Sequence, residues 1–152
     1  MSNQKAVHRI REFNRLYMSS MNLLGNHYLG SEYPVTEARV FFEIYENKGC
    51  NAAHIAKVMN IDKSYLSRII KSHEKNGYIL RTASESDGRS YCLYLTESGI
   101  RRAEDFIRKS DEEIGEIIEQ LTNEECVSLV QALSTATDLL NKSRKQREES
   151  ET

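Results

Sequence analysis

Apolar residues recur at helical spacing along most of the chain, and one short stretch switches to alternation. Ile10, Phe13, Tyr17, Met21, Leu24 and Tyr28 fall 3, 4, 4, 3 and 4 residues apart. That stripe predicts a first helix over about 5–29, broken by Gly30, Ser31 and Pro34. A second helix follows, with Thr36 as its cap, Val35 stapled onto Val40, and Val40, Phe41, Ile44 and Tyr45 as its inner face. Asn51 caps a short helix over 52–59. Asn60, Ile61 and Asp62 form a turn, and Asp62 caps a fourth helix over 63–76 that Gly77 stops.

Helical spacing then fails. Residues 78–82 read as a strand, 84–88 as a turn containing Asp-Gly, and 90–95 as a second strand with Tyr91, Leu93 and Leu95 on one face. The turn is long for a hairpin, so its tip projects. Thr96 caps a helix to about 120, striped by Ile100, Ala103, Phe106, Ile107, Ile114, Ile117 and Ile118. Thr122 and Glu125 have capping-box spacing and open a last helix carrying Leu129, Val130, Leu133, Leu139 and Leu140. Beyond Asn141 no apolar residue remains to bury, and fraying is expected.

These elements predict a mainly α fold: a winged helix-turn-helix with a two-stranded β-hairpin wing, between long N- and C-terminal helices. The whole chain, 1–152, reads as a single domain. Within it, 34–96 forms the helix-turn-helix lobe and 5–33 and 97–147 form dimerisation helices. The amphipathic first and last helices flank a compact centre, and pairing with the same helices of a second chain buries both stripes.

Charge sharpens the picture. The net charge is −2, which does not by itself suit a polyanion binder. Between Lys48 and Tyr91, however, eight Lys or Arg face four acids, while the remainder has 13 basic against 19 acidic residues. A basic centre between acidic flanks points to a polyanion. No apolar run is long enough for a membrane span, and the first residues lack the pattern of a secretory signal, so a cytoplasmic protein is expected.

The chemistry concentrates in 51–89, where Asn51 is the first candidate DNA contact. Ile55, Met59, Ile61, Leu66, Ile69 and Ile70 suit inward packing, and Ala56 is small where two helices approach. Facing out on the second helix of the unit are Lys63, Ser64, Tyr65, Ser67, Arg68, Lys71 and Ser72. These are donors of different lengths on the half of a recognition helix that enters the major groove of double-stranded DNA. Arg68 can bond a guanine edge through two nitrogens, and Ser64 and Ser67 can reach bases or phosphates. Tyr65 can press on a thymine methyl or hold a phosphate. Arg89, beside Asp87 and Gly88 at the hairpin tip, suits a narrow minor groove, with Asp87 limiting the guanidinium's freedom. Lys57, Lys71, Lys75 and Arg81 read as phosphate contacts or plain surface.

Residues 54–81 (HIAKVMNIDKSYLSRIIKSHEKNGYILR), 86–99 (SDGRSYCLYLTESG) and 121–125 (LTNEE) resemble the MarR (multiple antibiotic resistance regulator) family of bacterial winged-helix repressors. The Asp87-Gly88-Arg89 wing and the junction from Leu95-Thr96 to Gly99 are especially family-like. Tyr65 departs from the small β-branched residue common at its position. The resemblance implies an obligate homodimer, built by the terminal helices, on a palindromic operator. It also implies that a ligand or oxidant often relieves repression, with ligands held between the dimerisation helices and the DNA-binding lobe. Arg15, Tyr17, Tyr28 and Tyr45 are the candidate pocket residues for a small aromatic or phenolic ligand; the same tyrosines also suit core or dimer-interface positions.

Other chemistry finds little support. Cys50 and Cys126 fall at packing positions, Cys92 alternates away from the hairpin's apolar face, and none makes a CxxC pair. His8, His27, His54 and His73 show no i, i+4 ligand spacing, so neither metal nor other cofactor is expected. The chain lacks GxSxG, HExxH, P-loop and GxGxxG motifs, which argues against an enzyme. A winged helix used purely for protein docking is the rival class, but such a face should be rich in exposed apolar groups, and here only Tyr65 qualifies.

Overall fold

A computed structural model of the chain describes residues 2–86 and 88–152. The chain divides into two compact units, one up to Asp111 and one from Glu112 onward.

In the first unit, helix α1 spans Asn3–Ser20, and the Ser2 side chain accepts from the Lys5 amide at its start. It is shorter than the apolar stripe predicts. Asn22 and Leu29 have φ of 52°, and Gly25 and Gly30 have φ of 96° and 75°, so the backbone turns left-handed four times where a longer helix was expected. Ser, Asn and Gly between residues 19 and 26 compete with or weaken helical hydrogen bonding, which outweighs the spacing of Leu24 and Tyr28. Tyr28 instead opens a single 3₁₀ turn, Tyr28–Gly30, and its ring stacks on Phe106 with centroids 6.2 Å apart.

Helix α2 spans Val35–Glu46, and its cap is Pro34 rather than Thr36. Pro34 is extended (φ −67°, ψ 163°), and its carbonyl accepts from the Ala38 amide at 3.1 Å. Val35 is therefore the first helical residue, not a staple outside the helix. Helix α3 spans Ala52–Met59 and helix α4 spans Lys63–Lys75. Between them Asn60 is left-handed at φ 53°, and Ile61 donates its amide to the Ala56 carbonyl at 3.1 Å, which holds the turn tight.

Strands β1 (Ile79–Ala83) and β2 (Tyr91–Leu95) pair antiparallel, Ile79 opposite Leu95 and Arg81 opposite Leu93. One core joins Val40, Ile44, Ile55, Ala56, Leu66, Ile69, Ile70, Ile79 and Leu93, so α2, α3, α4 and both strands share it. A second, aromatic core joins Tyr33, Ala38 and Phe41 to Ala103 and Phe106 of helix α5 (Glu97–Glu119).

The junction from β2 into α5 has a specific cause. The Thr96 hydroxyl donates to the Gly77 carbonyl at 2.6 Å and accepts from the Gly99 amide at 3.1 Å. The Thr96 amide donates to the Tyr78 carbonyl at 2.9 Å. A Cβ on Gly99 would overlap that same Tyr78 oxygen, so close approach, not conformational freedom, requires glycine here.

The second unit holds the end of α5 and helix α6, Asn123–Ser150. Its capping box is complete: the Glu125 amide donates to the Thr122 hydroxyl at 3.1 Å and the Thr122 amide to the Glu125 carboxylate at 2.9 Å. The tail expected to fray continues as helix to Ser150. Lys, Arg, Gln and Glu are strong helix formers, and an Arg144–Glu148 pair at 3.4 Å spans one turn. Helices α1 and α6 contain no buried residue.

Candidate nucleic-acid interface

The candidate interface draws on α3, α4 and the hairpin. Asn51 caps α3 by accepting the His54 amide at 2.8 Å, and Asp62 caps α4 by accepting the Tyr65 amide at 3.0 Å. These short side chains end each helix sharply and leave a tight turn between them. Leu66, Ile69, Ile70 and His73 are the buried face of α4, which turns Lys63, Ser64, Arg68, Lys71 and Ser72 to the outside.

Two predicted contact residues sit differently from the rest. Tyr65 is half-buried against the first core, with the Arg68 guanidinium 6.0 Å from its ring centroid. Tyr65 is thus a partial support beneath Arg68, and a planar cation over an aromatic face loses freedom. Ser67 is half-buried at a cavity of about 220 Å³ that Asn51, Arg81, Arg89 and Tyr91 also line. The fold therefore brings Asn51, Ser67 and Arg89 together from α3, α4 and the hairpin. Gly88 and Arg89 are exposed at the tip, and Asp87 lies outside the described residues.

Arg81, read from the sequence as a phosphate contact or plain surface, makes contacts that its spacing alone does not reveal. It donates two bonds to Glu74, Nε to Oε2 at 2.7 Å and Nη2 to Oε1 at 2.9 Å, and its Cζ lies 5.1 Å from the Tyr91 ring centroid. The guanidinium holds the Glu74 carboxyl below the usual carboxylate range, and the carboxylate in turn raises Arg81. A signal for this was present: Arg81 pairs with Leu93, so the alternation that sends Leu93 inward turns Arg81 the same way.

A second network lies behind the interface. Arg102 on α5 binds the Glu32 carboxylate and the Tyr78 hydroxyl, the latter at 3.0 Å, and lies over the rings of Tyr33 and Tyr78 at 5.6 and 5.0 Å. The Arg102 hydrogen bonds lower Glu32. The cationic form of Arg102 is favoured in turn, chiefly by the Glu32 bond. His73, on the buried face of α4, packs on Phe41 with centroids 4.3 Å apart and meets Tyr33 edge-on at 5.0 Å.

The candidate ligand residues separate. Tyr28 lines a cleft of about 310 Å³ with Val35, Arg39, Phe42, Phe106 and Asp111. Tyr45 lines another, of about 150 Å³, with Lys48 and Tyr94. Arg15 and Tyr17 are on α1 and line neither. Cys50, Cys92 and Cys126 are all half-buried free thiols, and burial pushes Cys50 up, away from the reactive thiolate. Among the described residues no His, Cys, Asp and Glu cluster could hold a metal ion.

Known proteins resemble this arrangement. A protein of Thauera aromatica named for transcriptional regulation of the hcr operon is 30% identical over 73 residues, 46% of this chain and 44% of its own length. The chain spans about half the length of the curated relatives it matches. In fold, it is similar to Streptococcus pneumoniae FabT, solved in complex with DNA, at a TM-score of 0.70 and 20% identity, covering 93% of this chain and 99% of that one. It is likewise similar to a mutant MarR from E. coli complexed with operator DNA, at a TM-score of 0.71 and 20% identity, covering 87% of this chain and 95% of that one. Residues 34–91 match the model of the MarR family. That matched segment spans α2, α3, α4 and β1.

Proposed function

We propose that this chain is a sequence-specific transcription regulator, a repressor, that binds a palindromic operator in double-stranded DNA as a homodimer. The observation that carries the reading is the outer face of α4. Lys63, Ser64, Arg68, Lys71 and Ser72 are exposed together, and the apolar residues of the same helix are buried beneath them. Such a face offers hydrogen-bond donors to base edges and phosphates and little to an apolar protein partner. Arg89 on the hairpin supplies a second, minor-groove contact. The DNA complexes of the two similar structures favour the same use.

The homodimer follows from the terminal helices. Val7, Ile10, Phe13 and Leu16 on α1 and Val130, Leu139 and Leu140 on α6 are exposed apolar side chains. Stripes of that size on water are costly, and a symmetric partner covers them. In this reading 5–33 and 97–147 build the dimer and 34–96 reads DNA. Release by a small aromatic or phenolic ligand is the regulatory half of the proposal. The cleft beside Tyr28 supports it, since Tyr28, Phe42 and Phe106 give it aromatic walls, with Asp111 and Arg39, itself paired to Glu43 at 3.2 Å, as polar groups. The protein acts in the cytoplasm, where its DNA is; no described helix is long and apolar enough to cross a membrane.

Selection of bound duplexes from random DNA by the purified chain tests this. A palindromic consensus, with two protected half-sites roughly 34 Å apart, is expected. Failure to enrich any sequence, or protection of one isolated half-site, would overturn it.

A further inference from the structure

We propose that Arg81 is a positioning residue that aims the wing, rather than a contact to phosphate; this rests on the DNA-binding reading above. Three elements meet at its guanidinium. Glu74, in the last turns of α4, takes both of its bonds, at 2.7 and 2.9 Å. Arg81 itself is in β1, and the ring of Tyr91, the first residue of β2, lies 5.1 Å from its Cζ. Tyr91 is two residues from Arg89. The base of the arm that carries Arg89 is therefore tied through one planar cation to the helix that carries Arg68.

Geometry explains why arginine serves here. A bidentate carboxylate fixes the guanidinium plane, and a fixed plane can hold an aromatic ring in a fixed place. Lysine would keep the charge and lose both constraints. The carboxylate also takes up the charge that a phosphate contact would use. Arg81 and Glu74 are both about one-third exposed, at 32% and 35% of their side chains. Solvent therefore weakens the pair without abolishing its geometry, and its value lies in direction rather than stability.

The two roles predict opposite signs for one substitution. Were Arg81 a phosphate contact, Glu74→Gln would remove an acid, free a cation and tighten DNA binding. As a brace partner, Glu74→Gln loosens the wing and weakens binding, by about fivefold, despite the lost negative charge. The experiment measures equilibrium binding of the full chain to a duplex bearing its selected consensus, across salt concentrations. Wild type, Glu74→Gln, Arg81→Lys and Arg81→Ala are compared, each also combined with Arg89→Ala, and thermal unfolding is followed in parallel. The expected result is weaker binding by Glu74→Gln and Arg81→Lys, with melting temperatures near wild type. Their losses should shrink when Arg89 is already alanine, and discrimination at bases read by α4 should be kept. Tighter or unchanged binding by Glu74→Gln, or full additivity with Arg89→Ala, overturns the brace. If Arg81→Ala fails to fold, the Glu74→Gln and Arg81→Lys results still decide. A wild-type chain that selects no DNA sequence would instead sink the regulator reading itself.

Discussion

The Nε2 atom of His73 donates to the backbone carbonyl of Glu37 across 2.9 Å, which ties α4 to the first turn of α2. A carbonyl can only accept, so the proton of the neutral ring is on Nε2. The other ring nitrogen, Nδ1, is buried with no hydrogen-bond partner among the described residues. Phe41 and Tyr33 wall the ring in, and the nearby charges are Arg102 and Glu32.

Protonation of His73 would add an N–H with no acceptor and a second cation near Arg102. Burial accordingly holds its pKa below the ordinary 6.5. As pH falls through 6.5 the unfolded chain takes up this proton before the folded one. The contribution to stability is thus complete above that pH and lost as pH drops through the folded value. His73→Gln keeps a donor for the Glu37 carbonyl and cannot titrate in this range. Its melting temperature should fall less than that of wild type between about pH 7 and about pH 5. Equal slopes for the two proteins would show that His73 is not the titrating group.

Arg68→Ala should cost about 1–3 kcal/mol of specific binding and relax choice at one base position. Competition among single-base variants of the consensus measures this. A profile identical to wild type would remove Arg68 from the base readers.

Arg89→Ala should weaken binding about 3- to 10-fold while leaving major-groove preferences intact. Affinity for duplexes that vary only in the flanking minor groove is the measurement. Wild-type affinity would mean that the hairpin tip stays off the DNA.

Gly99→Ala forces a methyl into the Tyr78 carbonyl. The chain must shift at the junction of β2 and α5, at a cost of about 1–3 kcal/mol. Denaturant unfolding of both proteins gives the difference. A midpoint equal to wild type would show that the junction relaxes freely.

Phe13 is 47% exposed on α1 and Leu139 is 61% exposed on α6. Phe13→Glu and Leu139→Glu place charges where a symmetric partner is proposed. Each should lower the association constant, read by sedimentation at several concentrations, and DNA binding should fall with it. A monomeric wild type would dismiss the dimer outright.

Local rules make the helix-turn-helix and the wing legible in the sequence alone. Asn51 and Asp62 are short acceptors at helix starts, Gly77 and Asn60 sit where helices end, and the alternation of Tyr91, Leu93 and Leu95 has only one physical reading. Capping and periodicity act over a few residues, so they survive being read from the chain alone. The exposed donors Lys63, Ser64, Arg68, Lys71 and Ser72 followed because the buried side of α4 was evident, whereas Tyr65 and Ser67, also expected to face out, are half-buried. Competing local preferences defeated the same reasoning at the end of α1, where Asn22 and Gly25 overrode the apolar stripe, and at Pro34. Interactions between distant segments were out of reach for a different reason. Arg81 with Glu74 and Tyr91, Arg102 with Glu32 and Tyr78, and His73 with the Glu37 carbonyl each need two or three elements brought side by side. Their energies depend on distance and burial, which no spacing along one chain specifies until the hydrophobic cores have placed the helices.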